Sequence, residues 1–143
     1  MTTATTTKKQ ERKEAAQAKK KELREKLAET TERIENDPQA AEEFEAFAQR
    51  FPTYSIKNQT LIWMQNENAT ICAGFRKWKE EGRQVRKGEK GLRIFAPTKK
   101  KVRDENGEIV KDSKGEDEEE AGFIMVTVFD IAQTDPVEEE TTD

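Results

Sequence analysis

The sequence contains no histidine, and its one cysteine, Cys72, has no second thiol to pair with in the chain. The first absence removes the commonest transition-metal ligand and the usual general base near neutral pH. The second excludes an internal disulfide and an all-cysteine metal site. Zinc-hydrolase, Ser-His-Asp and Cys-His chemistries are therefore out. No apolar run approaches the roughly 18 residues of a membrane span, and the opening MTTATTTKKQ has no apolar stretch to serve as a secretory signal. A cytoplasmic protein without a membrane partner is expected. Carboxylate-held magnesium or calcium stays open, although the acidic residues come in runs that lack the glycine and ligand spacing of a calcium loop. The sequence thus gives no metal site, no cofactor and no catalytic residue, and the expectation is a protein that is not an enzyme.

Apolar residues are also scarce, at 32% of 143, while 39% are Asp, Glu, Lys or Arg. An ordinary globular domain carries roughly 25% charge, so a compact part with solvated extensions is expected. The net charge of −4 hides a segregation. Residues 1–49 carry 10 basic and 11 acidic side chains, residues 50–103 carry 14 and 4, and residues 104–143 carry 2 and 15. A middle third at +10 is the localised footprint that a nucleic acid requires, even in a protein of acidic isoelectric point. The bland alternative is that the basic and acidic parts neutralise each other in the fold.

Residues 1 to about 20 are Thr-rich and then Lys/Glu-rich, with alanines for apolar residues, and are expected to be disordered. Leu23, Leu27 and Ile34 then mark one thin stripe on a helix. Asp37 and Pro38 read as the cap and first position of a second helix, whose Phe44, Phe47, Ala48 and Phe51 share a face. Ser55 caps a third, IKNQTLIWMQ, with Leu61 and Ile62 on its buried side. ICAGFRKWKEE turns helical toward its end and stops at Gly82. Two strands follow, RQVRK and LRIFAP, joined through the glycines of KGEKG. GFIMVTVFDI is the strongest strand and is expected to pair antiparallel with LRIFAP at the centre of the sheet. Between those two strands, residues 98–121 read as a mobile acidic insertion with a hairpin at Asn106-Gly107, and no internal repeat is evident. The fold class is α+β: three to four N-terminal helices packed on a small antiparallel β-sheet. The division is a charged extension at 1–35, a domain at 36–135 and a disordered acidic tail at 136–143.

From Tyr54 to Arg103 the chain interleaves cations, amides and aromatics. Single-stranded nucleic acid needs that mixture, because cations neutralise phosphates, aromatic faces stack on bases and amides reach phosphate or base edges. For Trp63, Trp78 and Phe75 the alternative is burial against the phenylalanine helix. KGEKG resembles a phosphate-holding turn, two glycines opening the backbone between Lys87 and Lys90, but it lacks the spacing of a Walker loop.

Three words, YSIKNQTLIWMQ, ATICAGFRKWKEEGRQVRKGEKGLRIFAP and GFIMVTVFDIAQT, occur in order and together resemble the N-terminal domain of ArdC-type antirestriction proteins of conjugative plasmids and phages. The resemblance covers about half of the chain and implies single-stranded DNA binding. In larger members a zinc metallopeptidase-like domain follows. This chain ends soon after FDIAQT and has no histidine for an HExxH site, so peptidase activity is not carried over. The expected function is a single-stranded DNA-binding module of a phage or mobile-element antirestriction protein. Its candidate contacts are Tyr54, Lys57, Asn58, Gln65, Arg76, Arg86, Lys87, Lys90, Arg93, Gln133 and Thr134. The alternative is an acidic DNA mimic that occupies a host defence nuclease or another DNA-binding protein.

Overall fold

Two side chains fix where the central helices begin. The Asp37 carboxylate accepts from the Gln39 N–H at 3.0 Å ahead of Pro38, and the Ser55 hydroxyl accepts from the Asn58 N–H at 3.2 Å. Each satisfies a donor that the first helical turn leaves without a partner. The computed structural model describes residues 4–138, with side chains from residue 7. Its helices are α1 (Ala4–Asn36), α2 (Pro38–Ala48), α3 (Ile56–Gln65) and α4 (Phe75–Glu80). Its strands are β1 (Cys72–Ala73), β2 (Arg83–Val85), β3 (Leu92–Lys101), β4 (Glu119–Asp130) and β5 (Thr134–Pro136).

The α+β class holds, with strand order β1-β4-β3 in one antiparallel sheet and β2-β5 in a two-stranded ribbon. β4 lies at the centre and pairs with β3 from Leu92↔Val128 to Lys101↔Glu119, as its apolar, β-branched sequence implies. Leu61 and Ile62 of α3 are fully buried, each contributing about 1.5–3 kcal/mol by its removal from water. Around them lie Phe47, Phe51, Trp63, Leu92, Ile94, Phe95 and Val128, joining the helices to the sheet.

Two expectations change, and the pairing of β2, which the sequence leaves open, is settled. α1 is helical from Ala4 where the sequence reading begins the helix near residue 20. Lys, Glu, Gln, Arg and Ala are all strong helix formers, and a helix that grows outward from a docked half needs no core of its own. RQVRK and LRIFAP are joined but not paired: β2 turns aside to β5, with Val85 opposite Thr134. The strands also run on into the segment 98–121, and the rest of it is hydrogen-bonded.

That segment contains a tandem repeat which the sequence reading passes over: VRDENGEI (102–109) followed by VKDSKGED (110–117). In each unit the aspartate carboxylate, Asp104 or Asp112, accepts from the N–H groups two and four residues on, at 2.8–3.0 Å. Gly107 and Gly115 close the turns at φ of +79° and +80°. Short polar side chains at matched spacing, with glycine at the left-handed position, dictate the same turn twice. The acidic tail expected at 136–143 lies outside the described residues from 139 onward, and Pro136 ends β5.

Candidate nucleic-acid interface

α3 runs beside the outer edge of β3 and binds it with two amides. Asn58 donates to the Phe95 carbonyl at 2.8 Å and accepts from the Phe95 N–H at 2.9 Å. Gln65 donates to the Arg93 carbonyl at 2.8 Å and accepts from the Arg93 N–H at 2.9 Å. Both side chains therefore serve as a substitute strand, and their hydrogen-bonding groups are engaged within the fold.

The word FDIAQT is likewise structural. Asp130, 2% exposed, accepts from the Thr70, Ile71 and Ala132 N–H groups, and Gln133 completes a capping box by accepting from the Asp130 N–H at 2.9 Å. The other end of Gln133 donates to the Lys90 carbonyl at 2.7 Å, fastening the KGEKG turn. Thr134 is buried, its hydroxyl accepting from Arg83 at 2.7 Å and donating to the Ile131 carbonyl. Arg86 pairs with Asp135 at 3.0 Å and Glu89 at 3.3 Å, and the hydrogen bond it donates to Asp135 leads the effects that raise its pKa. Tyr54 donates to the Cys72 carbonyl at 2.8 Å, and burial pushes its phenol upward. The Trp78 indole is buried and donates to the Phe129 carbonyl, so Trp78 is no stacking platform, nor is buried Trp63.

Of the predicted contacts, the structure brings Lys90 and Arg93 together. They share a cleft of about 390 Å³ with Gln65, Gly91, Thr127 and, from α1, Lys19. An adjoining hollow of about 370 Å³ continues it along α1 to Lys26, which pairs with Glu22 on the same wall at 3.2 Å. Gly91 forms the wall because it has no side chain: a Cβ there would meet the Thr127 methyl at 2.1 Å and the Val128 carbonyl oxygen at 2.9 Å. Gly88 meets the turn's other need, at φ +84°. Among the described residues, Lys19, Lys90 and Arg93 form no ion pair. Lys87 and Arg76 are exposed but do not line the cleft.

Directly opposed residues of antiparallel strands share a face. From the cleft, that face runs Arg93/Thr127, Phe95/Met125, Pro97/Phe123. Lys57 sits over it, its ammonium 4.6 Å from the Phe95 ring centroid and 5.8 Å from that of Phe123. Phe123 is 58% exposed. Cations at one end and an open aromatic at the other suit an anionic strand that carries planar bases. The sequence reading misses Lys19 and Phe123. Lys19 stands one helical turn before Leu23 on the docking stripe, and Phe123 holds an alternate position on the most apolar strand; both signals are in the sequence.

Residues 13–129 match the family described as the N-terminal domain of anti-restriction factor ArdC. The chain belongs to this family. An uncharacterized protein of Bacillus anthracis, pXO2-81, is 31% identical over 138 aligned positions. Those positions take in 85% of this chain, which spans only 23% of that relative. The metal-free crystal structure of the antirestriction ArdC protein from the R388 plasmid is 28% identical over 59% of this chain and 30% of that one, with a TM-score of 0.44. Among the described residues of this ArdC N-terminal domain, no three His, Cys, Asp or Glu side chains group as a metal site. No described helix is long and apolar enough to cross a membrane.

Proposed function

We propose that this domain is a single-stranded DNA-binding module of an antirestriction-type protein of a phage or mobile element. The observation that carries the reading is the cleft in which Lys19, Lys90 and Arg93, cations from two distant parts of the chain, meet without ion-pair partners, with Arg93 on the strand face that ends at the exposed Phe123. Phosphates lie against the cations, and bases spread toward Phe123, as on other sheet platforms for unstacked strands. A duplex gains little at this cleft, because its bases are stacked within and cannot reach Phe123.

The mimic reading finds less support. In the acidic arm Asp117 is held by Lys101 at 2.9 Å and by Lys111, and Glu119 and Glu120 stand opposite Lys101 and Lys100. Much of the arm's charge is answered within the arm.

The test is a titration of matched single- and double-stranded oligonucleotides, at several salt concentrations, against the intact chain and Lys90→Ala/Arg93→Ala. The single strand should bind more tightly, and the double variant should flatten the salt dependence by about 1.4 units, at about 0.7 per phosphate. Equal affinity for both nucleic acids contradicts the stacking role. No binding at low salt overturns the function.

A further inference from the structure

α1 has two unlike halves. Its C-terminal half is docked, with Leu23 buried and Leu27 and Ile34 packed against the core. Residues 7–19 are exposed on every side. Charge divides at the same place: residues 7–21 hold seven cations and two carboxylates, whereas residues 22–49 hold three cations and nine carboxylates. The near-neutral total of the first 49 residues conceals a basic arm attached to an acidic base.

Six of the seven cations of the arm also share a side, Lys21 being the exception. At 3.6 residues per turn, Lys8, Lys9, Arg12, Lys13, Lys19 and Lys20 fall within an arc of about 140°. Leu23, Leu27 and Ile34 fall within the same arc, and Glu11 and Glu14 lie on the other side of the helix. The basic stripe therefore continues, in line, the stripe by which α1 docks on the domain. At its inner end stands Lys19, which lines the cleft of Lys90 and Arg93. One turn on, the Arg24 guanidinium lies 5.8 Å from the Phe95 ring, so this side of α1 looks onto the sheet face already described.

We infer that the underside of the α1 arm is a phosphate track that prolongs the cleft, so that a bound single strand leaves the sheet and runs outward along the helix. This rests on the single-strand reading of the cleft and extends it. From Lys19 to Lys8 the helix rises about 17 Å, a length along which several phosphates of an extended strand can lie. A second copy of the chain does not suit the arm: between Ala4 and Glu22 alanine supplies its only apolar side chains, which leaves no seam for a coiled coil. Charge complementarity and continuity with the cleft both point to a polyanionic strand.

The experiment uses the full chain with Lys8, Lys9, Arg12 and Lys13 all replaced by glutamine, which keeps helix propensity. Glu11→Gln/Glu14→Gln serves as the control, because it raises the net charge away from the stripe. Circular dichroism reports that α1 is kept. Binding is measured to oligonucleotides of about 4 and about 16 nucleotides across a salt series. The four-glutamine variant should lose affinity for the long oligonucleotide, with its salt slope lowered by about 2 to 3 units. Its loss on the short one should be much smaller, and the glutamate control should keep the intact protein's slope. An unchanged slope on the long oligonucleotide overturns the track, as does an equal loss on both lengths, or a control whose slope rises as much per charge as the variant's falls. In all three of these outcomes Lys90→Ala/Arg93→Ala still weakens binding, and the cleft stands. Failure of the intact chain to bind either length removes both readings.

Discussion

Asn58 and Gln65 stand seven residues apart on α3, and each holds both backbone polar groups of one β3 residue: Asn58 those of Phe95, Gln65 those of Arg93. Alternate residues of an edge strand point their N–H and C=O groups outward, and two amides at i and i+7 on a neighbouring helix meet two such residues. Replacing either amide with alanine strands a half-buried donor and acceptor at about 1–3 kcal/mol. Asn58→Ala and Gln65→Ala should each lower the urea midpoint by a corresponding amount. A variant with unchanged stability but impaired DNA binding would mean that the amide serves the ligand and not the strand.

Gly91 and Gly74 make a matched pair. An added Cβ at Gly91 collides with Thr127, Val128 and Phe129, the shortest approach being 2.1 Å, whereas nothing lies within 4 Å of one at Gly74. Gly91→Ala should cost about 1–3 kcal/mol by overpacking, and Gly74→Ala far less. Thermal melts of the two variants read the difference, and equal midpoints would show that β4 yields at no cost.

Cys72 is buried, and burial, assisted by the nearby Asp130 charge, pushes its thiol up to about 12. The unfolded thiol ionises near pH 9, so between about 9 and about 12 the folded chain keeps a proton that the unfolded chain has lost. Stability should fall with rising pH across that window, and less steeply in Cys72→Ala. Alkylation in mildly alkaline buffer should be slow in the native protein and fast in urea. Rapid native alkylation would contradict the burial.

Asp117 behaves in the opposite sense. Hydrogen bonds from Lys111 and Lys101 hold its carboxyl down at about 2. Its stabilisation is present above the unfolded value of 3.8 and is lost as pH falls through about 2. A carboxyl NMR titration should find that low midpoint, and amide exchange in residues 102–118 should quicken as it is crossed. A midpoint near 3.8 would show that the lysines do not hold it.

Much of this fold is legible because its signals are local. Asp37 with Pro38, Ser55, and Gly82 at φ +78° each act within a few residues. The β3–β4 pairing follows from the two most apolar extended runs. The site is harder to read, because its residues take their roles from distant partners. Asn58, Gln65 and Gln133 carry the polarity of ligand contacts, yet each is engaged by backbone 28 to 43 residues away. Lys19 belongs to a low-complexity stretch whose meaning rests on which way its helix docks. Composition reports how many cations there are, and only the helical phase reports that they share a side.

The two turns of the β3–β4 arm each close on their own aspartate, so neither depends on the other for its internal hydrogen bonds. Val102, Val110 and Glu118 mark the seams, each donating its N–H to the carbonyl of another of the three. Excising residues 110–117 would bring Glu118 to the place of Val110 and leave one complete hairpin; inserting another such octet would add one more turn. The arm thus ends in a tip assembled from eight-residue units set side by side, whose number can change while the ladder of β3 and β4 beneath it keeps its length.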